Sequence, residues 1–406
     1  MTKRFGMKCL WIAIGMIASL GWSGVQVRGE IRLMGRLKIA GTSSDKSGLK
    51  ESLENGTSLS QLGGWSAIAS TDRADEFWLL PDRGPKDGAV SYPTRVHRIR
   101  LNFNHANSTA IQFELLETVL LRNAAGQSLI GLSAAFQGAD AANNLRFDPE
   151  GIRVLPSGDL AISDEYGPSV VVFNARSGRA SKWFNVPQRF LPKILSGDPD
   201  QEIAENQIGR QANGGFEGLA VQPDSKKLLA FAQKPLLQDS ETTTKGKKIG
   251  SHCRIVEFTT EGVTGSEYLY PLASSSTAVS EILGLGDSQA LVLERDSESG
   301  RESKLKGVFW IDYSKASHSE KIASVAPGKM PADAQAVSKK LFIDFLDSKF
   351  GLYDDKLPAK PEGLALGPNL PDGSRTLIVS VDNDFESASD SELWIFSFSD
   401  SDLPQP

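Results

Sequence analysis

One short phrase returns along the chain and limits what it can fold into. It reads Asp-Pro-Glu-Gly-Ile at 148–152, Phe-Glu-Gly-Leu-Ala at 216–220 and Pro-Glu-Gly-Leu-Ala at 361–365. A looser copy, Ser280-Glu281-Ile282-Leu283-Gly284, lacks the glycine after Glu281, and a degenerate first copy, Gly64-Trp65-Ser66-Ala67-Ile68, has no glutamate. Each copy precedes an apolar run that ends in polar residues: Asp82-Arg83, Asp164-Glu165, Gln233-Lys234, Glu294-Arg295 and Asp382-Asn383-Asp384. A third run follows each time, at 96–101, 170–173, 254–258, 308–312 and 393–398. A fourth is visible in four copies, at 112–121, 181–186, 268–272 and 321–325.

Long amphipathic helical patterns are absent; short β-rich runs are broken by Gly, Pro, Asp, Asn and Ser. Four strands per repeated unit is the signature of a β-propeller. The expected fold is therefore all-β: five four-stranded blades, with the N-terminal run 31–40 supplying the strand that the last unit lacks. The copies lie 64 to 84 residues apart. That is long for a blade, so the inserts 122–146, 187–213 and 326–359 leave a sixth blade as the alternative.

Residues 1–29 read as a secretory signal rather than as part of the fold. Lys3, Arg4 and Lys8 precede an apolar run at 9–20, and Val27-Arg28-Gly29 places small residues where a signal peptidase reads. The domain proper then runs over 30–406, with no stable membrane insertion after cleavage, in a periplasmic or secreted location. An uncleaved anchor is the alternative. Removing the leader takes four bases and no acid, so the formal charge moves from −6 to −10. That sign argues against nucleic acid and suits cation binding. Cys253 is the sole cysteine after the leader, so no intrachain disulfide forms.

In a propeller, equivalent positions of every blade converge on the central channel. Glu150, Glu217, Glu281 and Glu362 are thus expected near one end of it. Carboxylates brought together repel unless a cation binds, protons are shared, or Arg and Lys neutralise them. Oxygen ligands of this type suit Ca²⁺ or another hard divalent ion better than zinc. Asp384 joins them as a candidate ligand. The alternative is that these glutamates accept backbone N–H groups and lock blade to blade. The strand-end residues Asp82, Arg83, Asp164, Glu165, Lys234, Glu294, Arg295 and Asp382 are expected on one face of the ring. Acids mixed with cations suit a site where metal ions and Arg or Lys hold an anionic ester; a solvated rim of salt bridges is the plainer reading. No Gly-x-Ser-x-Gly elbow, Ser/His/Asp set or phosphate-cradling glycine loop occurs. The polar, basic loop 239–250 reads as a blade loop.

These residues resemble the phytase-like family, described as "esterase-like activity of phytase". The resemblance rests on Pro81-Asp82-Arg83-Gly84-Pro85, Arg146-Phe147-Asp148-Pro149-Glu150-Gly151, Ser163-Asp164-Glu165-Tyr166-Gly167-Pro168, Gly215-Phe216-Glu217-Gly218-Leu219, Leu293-Glu294-Arg295-Asp296, Lys360-Pro361-Glu362-Gly363-Leu364 and Val381-Asp382-Asn383-Asp384-Phe385. Trp65-Ser66-Ala67 departs from the Gly-rich phrase usual there. The resemblance implies an exported β-propeller and hydrolysis of an ester or phosphoester. Together with the strand-end acids and cations, the expected reaction is metal-assisted attack of water at one channel mouth, with a small anionic ester as partner. A non-enzymatic binding propeller and a lactonase-like enzyme with one central divalent ion are the rival functions.

Overall fold

The computed structural model describes residues 30–103, 111–136, 144–223, 227–325, 327 and 330–405. Five four-stranded antiparallel sheets form the blades. Strand β1 (Arg32–Ile39) leads to blade 1: β2 (Trp65–Ser70), β3 (Glu76–Pro81), β4 (Arg95–Phe103) and β5 (Ile111–Leu120). Blade 2 is β6 (Pro149–Val154), β7 (Leu160–Asp164), β8 (Ser169–Phe173) and β9 (Ala180–Trp183). Blade 3 is β10 (Phe216–Val221), β11 (Lys227–Ala232), β14 (His252–Thr259) and β15 (Thr264–Pro271), with the hairpin β12 (Glu241–Thr242) and β13 (Lys248–Ile249) between its middle strands. Blade 4 is β16 (Ala278–Gly286), β17 (Gln289–Arg295), β18 (Lys306–Asp312) and β19 (Ser338–Asp344). Blade 5 is β20 (Lys360–Leu366), β21 (Arg375–Asp382) and β22 (Ser391–Phe398), completed by β1 in antiparallel register, Leu37 opposite Leu393.

The blade count is five, as first expected, and the ring closes with the N-terminal strand. The described parts of the three inserts hold isolated bridges, short helices and β19, so they add no sixth sheet among the described residues. One strand differs from expectation. The outer strand of blade 4 is Ser338–Asp344 rather than 321–325, because the chain first crosses to blade 3, where Asp239 accepts the Val325 amide at 2.7 Å. The expected leader falls on residues 1–29, outside the described residues.

The core is divided by blade boundary, which follows from sheets packing face to face. Each adjacent pair of blades encloses its own apolar cluster: Leu80 and Ile162 lie between blades 1 and 2, Trp310 and Trp394 between blades 4 and 5. The repeated phrase marks where innermost strands meet. A Cβ on Gly218 would lie 2.7 Å from the Ile282 nitrogen of blade 4, and one on Gly151 would lie 2.7 Å from the Glu217 carbonyl oxygen of blade 3. Glycine therefore follows the glutamate because the next blade's backbone fills the space of a side chain.

Candidate metal and anion site

The glutamates owe their direction to a β-bulge. In blade 3, Phe216 pairs with Ala232 and Gly218 with Phe231, so Glu217 is the extra, unpaired residue. The same irregularity leaves out Ser66 in blade 1, Glu150 with Gly151 in blade 2, Ser280 in blade 4 and Glu362 in blade 5. A bulge re-aims its side chain, here to the channel mouth. This corrects the expectation for Glu281. The bulged residue of blade 4 is Ser280, and a one-residue offset sends a strand side chain the other way. Glu281 instead accepts the Leu219 amide of blade 3 at 3.0 Å and meets Arg153 at 3.0 Å.

The neighbouring strands follow the same register. Pro81, Asp164, Ala232, Glu294 and Val381 pair with the residues just before the bulges. The next residue in each blade is Asp82, Glu165, Gln233, Arg295 or Asp382. Strand side chains alternate in direction, which separates residues expected together. Asp82, Glu165, Gln233 and Arg295 line the mouth cavity, while Asp164 and Glu294 do not. Asp164 accepts the amides of Asp148 at 2.9 Å and Gly167 at 2.8 Å, fixing the turn that carries Asp148 and Glu165. Glu294 lies between blades, where it accepts from the Tyr270 hydroxyl and the Ala273 amide, both at 2.7 Å.

The cavity encloses about 460 Å³ and is lined by Asp82, Arg83, Glu150, Glu217, Glu362 and Lys360 among others. Asp148, Glu150 and Glu165 each offer a carboxylate oxygen, and these oxygens lie within 4.8 Å of one another. Asp148 was not among the residues expected at the site. Its signal was present two positions before Glu150, inside the repeated phrase. Lys360 was also missed, because it stands just before its copy, two residues ahead of Glu362, and carries no repeat of its own.

Cations thread through these acids. Arg83 bonds Asp148 and Asp87 and lies 3.4 Å from Glu165. Arg295 bonds Glu362, which also accepts from Ser66 Oγ at 3.1 Å. Lys360 bonds Asp382 at 3.1 Å and also Asp384, so Asp384 is tied to a lysine at the rim. Lys234 donates to the Asn213 carbonyl at the edge of the cavity.

The acids nevertheless outweigh the cations. Burial, then Glu217 and the neighbouring acids, hold the Glu150 carboxyl well above the usual range; burial, then Glu165 and Glu362, do the same to Glu217. Burial and the Asp382 charge raise Asp82 likewise. Burial followed by Asp148 lifts Glu165 to about 7, and burial lifts Asp382 to about 7 against the pull of Lys360. Lys360 is raised because Asp382, Glu362, Asp82 and Asp384 outweigh its burial. Glu165 is 1% exposed and Glu217 2% exposed, and Oε1 of the first and Oε2 of the second have no hydrogen-bond partner among the described residues. Buried carboxylate oxygens without partners are costly, so the cluster is short of positive charge. An all-oxygen set with spare lone pairs fits a hard divalent cation. It offers no imidazole or thiolate: His97, His252 and His318 lie elsewhere and His105 is outside the described residues.

The rim is strained. Lys86, Asp87, Asn213 and Asp384 have φ of 61°, 58°, 51° and 52° and line the cavity. Non-glycine residues in this region cost about 1 kcal/mol each and cluster at functional sites. Away from the lining of this cavity, Arg153 of blade 2 donates to the Ile68 carbonyl of blade 1 at 3.1 Å and the Ile282 carbonyl of blade 4 at 2.7 Å, tying innermost strands together.

Among the described residues no helix is long and apolar enough to cross a membrane. A relative from Arthroderma benhamiae, described as an uncharacterized secreted protein, is 25% identical over 410 residues, covering 80% of this chain and 77% of its own. Among solved structures, a GH43 β-1,3-galactosidase with galactodeoxynojirimycin aligns over 90% of this chain and 97% of its own, at 10% identity and a TM-score of 0.44. The hydrazine synthase of Kuenenia stuttgartiensis aligns over 80% and 78%, at 12% identity and a TM-score of 0.33. The model of the phytase-like family, "esterase-like activity of phytase", matches residues 60–385, and the chain belongs to that family.

Proposed function

We propose that the protein is an exported hydrolase that cleaves an ester or phosphoester at the channel mouth, with a divalent cation, Ca²⁺ first among candidates, held by Asp148, Glu150 and Glu165. The observation that carries this reading is the trio of carboxylate oxygens within 4.8 Å of one another, of which Glu150 and Glu165 line a cavity together with Arg83, Arg295 and Lys360, while Asp148 is buried beside them. Export is supported by the relative's description as secreted and by the leader pattern of residues 1–29.

A cation bound there supplies Lewis acidity to the ester oxygen and to water. The chain's own groups do the rest. Arg83, Arg295 and Lys360 orient an anionic ester and neutralise charge that develops on its oxygens. Glu217 Oε2, buried and unpartnered, is placed to take the proton of the attacking water. The water oxygen bonds to the acyl carbon or phosphorus, the ester oxygen leaves as the alcohol with a proton, and the acid is released.

The test is turnover of phenyl phosphate and of phenyl acetate by the mature protein, in EDTA and with Ca²⁺, Mg²⁺ or Mn²⁺ restored. Metal-dependent turnover of either ester is expected. A protein that binds the cation tightly yet hydrolyses neither ester, while opening lactones, contradicts the reading in favour of a lactonase. No cation binding and no turnover favour a binding propeller.

A further inference from the structure

A groove of about 500 Å³ lies between the inserts 122–146 and 187–213 and shares no lining residue with the mouth cavity. Leu129, Phe147 and Val171 line it, and all three belong to the apolar cluster between blades 1 and 2. Trp183, half-buried at the end of β9, packs against that cluster and lines the groove as well. The groove is therefore where the core of two blades reaches the surface. Leu191 and Leu195 add to its apolar lining, and Asn206 holds the segment between them. Its Oδ1 accepts the Lys193 amide at 2.8 Å and the Ile194 amide at 3.0 Å, and its amide nitrogen donates to the Ile194 carbonyl at 2.7 Å. A preformed apolar cavity of this size with a few polar groups is the usual shape of a small-molecule site.

The charge of those polar groups is positive. Arg146 and Lys193 line the groove, with Asp164 as its acid. Asp164 is satisfied by the chain itself: it accepts the Asp148, Tyr166 and Gly167 amides at 2.9, 3.2 and 2.8 Å and the Ser169 hydroxyl at 3.0 Å. Arg146 is 5% exposed, with its guanidinium carbon 4.6 Å from the centre of the Tyr166 ring. Its carboxylate partner is Glu202 at 3.4 Å, but Glu202 also meets Arg210, at 2.7 Å. Two buried guanidinium groups thus share one carboxylate, and Arg146 Nε has no hydrogen-bond partner among the described residues. Lys193 is exposed and has no carboxylate within ion-pair distance among the described residues. A buried charge without full compensation is costly, so this end of the groove is short of one negative charge.

We propose that the groove binds a small molecule with an apolar body and one carboxylate, at a site distinct from the cation cluster. The body displaces water from Trp183, Phe147 and the leucines, and the single negative charge balances what Glu202 leaves over. The ligand is not the ester under attack. No member of the acidic trio lines the groove, and the site stands whether or not the protein hydrolyses esters.

The experiment compares binding of 2-naphthoate and of the neutral 2-naphthylmethanol to the full mature protein, by calorimetry in EDTA at neutral pH and fixed ionic strength. Saturable binding of naphthoate, about tenfold tighter than that of the alcohol, is expected, since hydrogen bonds to a charged group are worth about that much. Arg146→Gln should remove the preference. Because Arg146 is buried, Lys193→Glu at an exposed position gives a second reading with the fold intact: naphthoate should weaken about threefold and the alcohol not at all. Trp183→Ala should weaken both compounds. Equal binding of the two by the parent, no binding of either, or a preference that survives in folded Arg146→Gln overturns the proposal. Naphthoate binding that neither Lys193→Glu nor Trp183→Ala alters overturns it too. So does a protein that sediments as a dimer and becomes a monomer in Trp183→Ala, which would give the groove to a second copy of the chain.

Discussion

Arg153 of blade 2 reaches across the channel to Glu281 of blade 4, nitrogen to oxygen 3.0 Å apart, past the blade that separates them in the ring. Both side chains are buried, and the same guanidinium caps carbonyls of blades 1 and 4. With the Leu219 amide of blade 3 on Glu281, this pair ties four blades together at the axis. Removing one member of a buried ion pair leaves the other uncompensated, so Arg153→Met should lower unfolding free energy by about 3 kcal/mol. Denaturant unfolding measures it, and the Arg153→Met/Glu281→Gln double variant should lose less than the two singles combined.

Strand register separates Glu281 from its apparent equivalents, because the bulged residue of blade 4 is Ser280. Glu281→Gln should keep the response of the thermal midpoint to Ca²⁺ and keep turnover, at some cost in stability. Glu217→Gln should keep the fold and lose turnover about a hundredfold, the usual effect of removing a positioned acid–base group. Equal losses from both would place Glu281 in the cavity after all.

Metal-free stability should fall as pH rises. Glu165 and Asp382 sit at about 7 in the fold, above the roughly 4 of carboxylates in an unfolded chain. Their contribution is complete below about pH 4 and is lost as pH climbs through 7. In EDTA, unfolding free energy should therefore drop by a few kcal/mol between pH 5 and 8. The lowered acids at Asp87 and Glu76 act in the opposite sense, at lower pH and outside that window. Ca²⁺ should restore more stability at pH 8 than at pH 5, because protons compete for its ligands. A flat profile in EDTA would mean that the acids are neutralised within the chain.

The propeller was legible in the sequence because its repeat is a packing requirement: Gly151 and Gly218 admit the backbone of the next blade, and the apolar runs after each copy are buried strands. The ring closure by residues 31–40 followed from one missing strand. The site was legible only in part. Period-2 alternation along β7 and β17 sends Asp164 and Glu294 away from the cavity that Glu165 and Arg295 enter, and a dipeptide in a sequence does not show which of its members faces in. Glu281 looked like a fourth copy because the bulge that defines the position falls on Ser280. Asp148 stood in the motif but lies outside the repeated Glu-Gly core, so its approach to Glu165 across the β6–β7 pair emerges only in three dimensions. The crossing of 321–325 to blade 3 is likewise set by a distant partner, Asp239.

The most direct test of the account is calorimetric titration of Ca²⁺ into the EDTA-stripped, dialysed protein at pH 8, side by side with Glu165→Gln. The account predicts saturable binding in the parent, at least about tenfold weaker in the variant since ligand charge sets affinity in such sites, with the two proteins folded alike. Binding of equal strength to both, or none to either, would contradict a cation held by Asp148, Glu150 and Glu165.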